Sequence, residues 1–404
     1  MNYNETLNYI HSLGMFSHPA GLERIENLLD KLGNPQDKLP SIHIAGTNGK
    51  GSVSVMIASI LKSAGYKVGL FTSPYIIDFR ERITVNGEFI SEADLCRLAE
   101  KVRKTEIAVT EFEFITAVGF LYFAEQECDI VVAETGLGGR LDATNTLTNV
   151  LCSVITKIGI DHSAILGNTI EKIAEEKCGI IKKNKTVTVA SQTSSALRVI
   201  KKHSPDTIIP LKPQIISSNL KGNTFIYKGE EYNVSLAGEF QVENSTAAIE
   251  AVKACGLNVE NSHIKEGLLN AFIPARMEIL SKEPLIILDG AHNPDGAKVL
   301  ADFMRVNGNE NTAIIGVMQD KNYDTVLKET LKYCNSVVCV TPSDMPRGLS
   351  GEMLKEAADN YCRDVTVAKS LEDAVNIAKS KSCGNPIFIY GSLYLASNIR
   401  KLFK

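Results

Sequence analysis

From Leu39 onward the chain alternates between two patterns. Short runs rich in β-branched and apolar residues, at 42–45, 68–71, 130–133, 151–156 and 186–190, read as strands. Between them apolar residues recur at helical spacing, most clearly over 53–64, and Gly65 stands where a helix stop belongs. This alternation is the sequence form of a sheet assembled from βαβ units. Around 215–236 it gives way to antiparallel strands with Lys228-Gly229 as their turn, an insertion or a domain edge. After Pro274 it resumes, with strands at 285–288, 313–317, 337–340 and 387–390. The expected fold class is α/β, with a large N-terminal domain over 1–273 on a mostly parallel sheet and a smaller C-terminal α/β domain over 274–404.

Bulk properties narrow the class further. At 404 residues the chain exceeds the roughly 250–300 residues at which single cores stop growing, so two domains are expected. Hydrophobic residues make up 44%, charged residues 22%, and the net charge is −4. Nothing therefore attracts the protein in bulk to nucleic acid or an anionic membrane, and an anionic ligand needs a local site. The start, MNYNETLNYI, lacks the basic region and apolar stretch of a secretory signal, and the longest nearly apolar run, 115–124, is about half a membrane span. The expectation is a soluble, cytoplasmic monomer without nucleic-acid or membrane partners. Its nine cysteines are scattered, with no C-x-x-C pair, and read as reduced core thiols.

The strongest chemical signal is IHIAGTNGKGS at 42–52, between a strand and the helix that follows it. Its glycines let successive backbone N–H groups of Thr47, Asn48, Gly49, Lys50, Gly51 and Ser52 face a phosphate chain, and the helix N-terminus adds partial positive charge. Lys50 can neutralise the terminal phosphates and Ser52 can ligate magnesium. The usual pattern G-x-x-x-x-G-K-[ST] fails literally, because Gly51 separates the lysine from the serine. A glycine-rich tight turn is the bland alternative; the flanking strand and helix favour the phosphate site.

This variant loop, GTNGKGS, resembles that of the Mur ligase superfamily. The segments after it narrow the resemblance to folylpolyglutamate and dihydrofolate synthases: TSPYI at 72–76, FRERI at 79–83, FEFIT at 112–116, ETGLGGRLDATN at 134–145 and KIGIDHSAILGNTIEKIAEEKCGIIK at 157–182. PARMEIL at 274–280, LDGAHNPDGA at 288–297, MQDKN at 318–322 and YGSLYL at 390–395 follow in the expected order, so the resemblance covers almost the whole chain. It implies a P-loop ATPase-type N-terminal domain, a Rossmann-like C-terminal one, and the use of ATP with Mg2+ at two sites.

Glu134 ends the run DIVVAE, at the edge where open α/β sheets place ligands, and its carboxylate suits a hard cation. The bland alternative, a solvated strand-end acid, is the weaker reading. His162 follows another strand end; alone it is an ordinary hydrogen-bonded histidine, and the resemblance makes it a ligand of a second magnesium. Ser73 could simply turn the chain in Thr-Ser-Pro, whereas the resemblance places it on magnesium. Lys177, read without relatives, is a solvated lysine completing the dipole of a helix over 170–177. The resemblance implies that it is carbamylated, an anionic member of the metal site, with Cys178 standing where alanine is expected. Asn244 resembles a position that contacts adenine and Arg276 a phosphate-contacting arginine. Asp289 and His292 would close over the nucleotide, which implies catalysis across an interdomain cleft.

The implied reaction joins L-glutamate to a folate-type pterin acid through an acyl phosphate, with Lys50, Lys177, Asp289 and His292 as catalytic candidates. Tetrahydrofolate is the expected acceptor, and dihydropteroate, which needs the same ATP chemistry, stays open as a second one. Tyr75 stands where many relatives have histidine, a difference on the substrate side. A Mur-type ligase of a cell-wall precursor and an inactive nucleotide-binding module are the competing readings. GLGGRLDATN and PARMEIL argue against the first, and the presence of Lys50, Ser52, Glu134, His162 and Lys177 against the second.

Overall fold

The computed structural model describes all residues except 15–20, 307, 309, 320–321, 343–346 and 404. Part of MQDKN, Asp320 and Lys321, thus lies outside the described residues. The chain divides into two compact units, one comprising Met1–Ser217, Asn223–Ser235 and Gln241–Phe272, the other Ser218–Gly222, Leu236–Phe240 and Ile273–Lys404.

The first unit is built on strands β1 (Ser41–Ala45), β2 (Val68–Phe71), β3 (Ile83–Val85), β4 (Glu88–Phe89), β5 (Ile130–Glu134), β6 (Val150–Ile155) and β7 (Lys185–Thr188), in the order β4-β3-β2-β5-β1-β6-β7. β2, β5, β1, β6 and β7 run parallel, and only the hairpin β3–β4 is antiparallel to its neighbours. Every residue of β1 and β5 is buried. Covered on both faces, these central strands read as continuous apolar runs rather than as alternation. In the register, Ile44 sits beside Glu134 and Ala45 beside Ile155, while Phe71 sits beside Ala133. Four strands therefore deliver their carboxyl ends to one edge.

Helices cover both faces. Lys50–Ser63 packs over β1, β2 and β5 and stops before Gly65, whose φ of 89° supplies the left-handed turn. On the other face Glu111–Glu125 packs Phe114, Phe120 and Phe123 into a core with Phe71, Val131 and Ala133. A capping box starts that helix: Thr110 Oγ1 accepts from Glu113 N–H at 3.3 Å and the Glu113 carboxylate accepts from Thr110 N–H at 2.7 Å. Glu113 is buried, and Arg24 neutralises it at 2.9 Å. A second cluster gathers Ala45, Ile155, Ile173, Ala174, Cys178 and Ile200 under the helices Ile170–Cys178 and Ser194–His203.

β8 (Gln214–Asn219), β9 (Gly222–Tyr227) and β10 (Glu230–Val234) form a separate small sheet. Lys228 and Gly229 link β9 to antiparallel β10 with φ of 52° and 83°, the paired positive values of a tight hairpin turn. The second unit has a sheet of β11 (Glu278–Lys282), β12 (Leu285–Leu288), β13 (Asn311–Ile315), β14 (Cys334–Cys339), β15 (Val365–Val367) and β16 (Ile387–Tyr390), in the order β11-β12-β16-β13-β14-β15. All its pairings are parallel except β11 with β12. Among the described residues no helix is long and apolar enough to cross a membrane, and none of the nine cysteines is bridged.

Candidate functional site

In the first unit the expected residues converge on the strand ends. The loop after β1 is tied down by the segment after β6: Thr47 and Asn48 both donate their backbone N–H to Lys157 O, at 2.9 and 3.1 Å. Thr47 Oγ1 donates to Gly159 O at 3.1 Å. Those two amides are thus committed to the protein. The amides available to a ligand are the next ones, because no side chain caps the helix that begins at Lys50. Gly49 takes φ 90°, and a Cβ there would stand 2.7 Å from Asn244 Oδ1. Asn244 is itself buried and donates to Gln241 Oε1 at 2.9 Å, while Gln241 Nε2 donates to Ser52 Oγ at 3.3 Å. Asn244 and Ser52 thus belong to one hydrogen-bonded chain along the loop.

Glu134 is 4% exposed at the end of β5. Its Oε2 accepts the Ser73 N–H at 3.2 Å and its Oε1 lies 4.0 Å from Lys50 Nζ. The structure so joins Lys50, Ser73 and Glu134 directly. A buried carboxylate with one oxygen turned to a lysine 18% exposed, beside uncapped helix N–H groups, suits a nucleotide phosphate and its cation.

Lys177 is also 4% exposed, so the solvated lysine expected from sequence alone is not what the fold builds. Its Nζ donates to Gly46 O at 2.7 Å, under the phosphate loop. Burial, reinforced by the positive charge of Lys50, pushes its pKa down to about 7, while Asp161 and Asp142 act in the opposite direction. A substantial fraction of the amine is therefore neutral, and so nucleophilic, near physiological pH. Gly139 makes room for this arrangement: a Cβ there would stand 2.7 Å from Lys177 O and 2.8 Å from Glu176 O.

His162 occupies left-handed backbone, φ 49°, with its side chain 45% exposed. Its N–H donates to Asp161 Oδ1 at 2.8 Å, and its Nε2 is 3.9 Å from Asp161 Oδ2. Among the described residues no group of three or more His, Cys, Asp or Glu side chains is arranged to hold a metal. The expected set of Ser52, Ser73, Glu134 and His162 contains only two of those residue types. Magnesium held there would take its remaining ligands from hydroxyls, water and phosphate, as it commonly does.

Asp142 is a functional candidate that the sequence reading passed over. It is buried, its Oδ2 accepts Leu137 N–H at 2.9 Å, and its Oδ1 accepts Thr144 N–H at 3.1 Å and Thr144 Oγ1 at 2.5 Å. It thereby folds the glycine loop 136–140 while placing a carboxyl near Lys177; burial raises its pKa, against these hydrogen bonds. Beneath it, His43 Nε2 meets Thr144 Oγ1 at 2.8 Å, and burial lowers that imidazole's pKa to about 3, so it is neutral. The signal was present in Asp-Ala-Thr, the side-chain turn pattern of an aspartate followed two residues on by a hydroxyl.

The second unit holds its own cluster. Asp289 is buried at the end of β12; its Oδ2 accepts Met277 N–H at 2.9 Å and its Oδ1 accepts Ala291 N–H at 2.8 Å. It staples the arginine turn to the loop that carries His292, and its pKa is raised by burial against the pull of Arg276. His292 Nδ1 meets Gly290 O at 2.8 Å. Arg276 lies between Ala275 and Met277, both left-handed with φ 54° and 49°. Such strain persists only where surrounding bonds over-determine it. Here Glu278 Oε2 accepts Ala275 N–H at 2.9 Å, and Arg400 grips Glu278 through Nε and Nη2, each at 2.9 Å from Oε1.

The chain is similar to known proteins over its whole length. The Mur ligase middle domain family matches residues 44–252, and the Mur ligase glutamate ligase domain matches 275–393. The chain is 38% identical to a Bacillus subtilis dihydrofolate synthase/folylpolyglutamate synthase, covering 100% of this chain and 99% of that one. A Mycobacterium tuberculosis folylpolyglutamate synthase solved with ADP and AMPPCP superposes with a TM-score of 0.89 at 31% identity, covering 100% of this chain and 99% of that one. An Escherichia coli relative in complex with DHPP and ADP superposes with a TM-score of 0.89 at 27% identity, covering 100% of this chain and 97% of that one.

Proposed function

The chain belongs to the folylpolyglutamate synthase and dihydrofolate synthase family of Mur ligases, and from that premise we propose how its residues divide the work. It is an ATP-dependent, ADP-forming ligase that joins glutamate to folates. A carboxylate does not condense with an amine unaided, because oxide is a poor leaving group. ATP solves this in two steps. The folate-side carboxylate attacks the γ-phosphorus and ADP leaves; the glutamate amine then attacks the acyl carbon and phosphate leaves, giving the amide.

The observation that carries the reading is the junction of Lys50, Glu134 and Ser73 at the N-terminus of an uncapped helix. The N–H groups of Lys50, Gly51 and Ser52 would hold the phosphates, with Thr47, Asn48 and Gly49 shaping the turn. Lys50 would follow the charge that moves onto the transferring phosphoryl group, the electrostatic work that dominates such transfers. Asn244, packed on Gly49, would face the base. In the second unit Arg276 would contact phosphate, Asp289 would hold the Arg276 and His292 turns in place, and His292 would act beside them.

Mg2+, held by Ser52, Ser73 and Glu134 and at a second place by His162 and a carbamylated Lys177, would neutralise phosphate charge. Carbamylation is supported by the amine itself, which at a pKa of about 7 can add to CO2 and release a proton. The resulting anion would turn the repulsion from Lys50 into attraction. Further parts of the proposal are a boundary at 273/274, L-glutamate and tetrahydrofolate as substrates with dihydropteroate as second acceptor, and a monomer working in the cytoplasm. With a net charge of −4, the proposal includes no nucleic-acid partner.

Purified protein with ATP, magnesium and glutamate, given tetrahydrofolate and dihydropteroate in separate reactions, tests the acceptor by mass detection. Amide product with tetrahydrofolate is the expected result, and product with dihydropteroate as well makes the enzyme bifunctional. Product with one acceptor restricts the assignment to that branch, and product with neither overturns it.

A further inference from the structure

The segment FRERI at 79–83 has no part in the chemistry above, yet it is folded back onto the turn that carries Ser73. The Glu81 carboxylate accepts three backbone N–H groups of that turn, from Ile76 at 2.9 Å on Oε2 and from Ile77 at 2.5 Å and Asp78 at 2.9 Å on Oε1. The other end of the turn is tied to the same segment: Thr72 Oγ1 donates to Glu81 O at 3.3 Å and Thr72 N–H to Arg82 O at 3.1 Å. Arg82, 5% exposed, packs its guanidinium 5.3 Å from the Tyr75 ring centre and 5.2 Å from that of Phe79. Its Nη2 lies 3.6 Å from Glu111 Oε1. Arg80 closes the outside through Asp78, with Nε at 3.0 Å and Nη2 at 2.8 Å.

These turn N–H groups belong to no strand or helix, so one charged acceptor stands in for secondary structure. The same turn carries Ser73, whose N–H meets Glu134 Oε2 at 3.2 Å. That bond assigns Oε2 to the protein and leaves Oε1 on the side of Lys50.

We infer that Glu81 is a positioning residue for the reaction: by gathering the N–H groups of Ile76, Ile77 and Asp78 it fixes the turn through which Ser73 orients the Glu134 carboxylate toward the nucleotide's cation. The inference rests on the proposed cation site at Glu134 and Ser73. A staple that served stability alone would leave the cation affinity of the folded protein unchanged.

Mn2+ binding in the presence of a non-hydrolysable ATP analogue, followed by electron paramagnetic resonance, separates these roles for the native protein, Glu81→Gln and Glu134→Gln. Glu81→Gln keeps the size but turns an NH2 group toward one of the three donors. It is expected to weaken Mn2+ binding about tenfold, in the range found for groups that orient metal ligands. Glu134→Gln should weaken it more. Unchanged affinity in folded Glu81→Gln alongside a loss in Glu134→Gln overturns the positioning role and leaves the cation site standing. Unchanged affinity in Glu134→Gln removes the cation site and the inference with it. Should Glu81→Gln fail to fold, Thr72→Val, which deletes a single bond to the Glu81 backbone, is expected to shift affinity the same way by a smaller factor; no shift there overturns the inference.

Discussion

Lys177 gives the first unit a titration that can be followed by stability alone. Its folded pKa of about 7 lies below its ordinary 10.5, so between those values the unfolded chain holds a proton that the native amine has released. Unfolding therefore takes up a proton, and stability rises with pH across that window by up to about 1.4 kcal/mol per unit. Below pH 7 both states are protonated and the slope from this group disappears, leaving the full cost of a buried charge. In CO2-free buffer, Lys177→Met is expected to flatten the slope between pH 7 and 10 in urea titrations; an unaltered slope would show that the amine is not buried as described. The residue was legible in part. Ile170, Ile173, Ala174 and Lys177 follow one another at steps of three, one and three, so the lysine sits on the apolar stripe of its helix. Reading it as solvated gave charge precedence over periodicity. Asp142 was missed because a buried acid is invisible until the turn that satisfies it is known, whereas Glu134 stood out at the end of a strand.

At the level of elements, the sheet was legible where burial made it continuous and obscure where it did not. β1, β2, β5 and β6 announced themselves as apolar runs bounded by polar turns. The hairpin β3–β4 did not, since β4 is two exposed residues. The helix after the phosphate loop begins at Lys50 rather than at Val53, because its first turn, Lys-Gly-Ser, carries no apolar signal. A polar first turn is what a ligand-facing N-terminus requires, so periodicity fails there for a functional reason. Close approach between elements can be tested at Gly139. An alanine Cβ would press on backbone of the helix Ile170–Cys178 rather than on a side chain that could swing away. Gly139→Ala should cost about 1–3 kcal/mol in chemical denaturation and lower ligation by displacing Lys177. A native-like midpoint would mean that the loop 136–140 has room to retreat.

On the scale of the whole molecule, the sequence conveyed two α/β parts, the smaller resuming after Pro274, but not that the short pieces Ser218–Gly222 and Leu236–Phe240 cluster with the second unit. Ser218–Gly222 is the turn from β8 into β9 and Leu236–Phe240 follows β10; neither carries a periodicity of its own, so only tertiary contact reveals where they belong. Function was legible as a chain of motifs, each weak alone. The folded protein adds the reason for their order, since four of them meet at the ends of β1, β2, β5 and β6. The central claim is that this junction activates a folate carboxylate as an acyl phosphate, and isotope transfer tests it most directly. With both carboxylate oxygens of the folate acceptor labelled with 18O, the phosphate released should carry one 18O per amide formed. Amide formation with unlabelled phosphate, or with label appearing in AMP, would contradict the account.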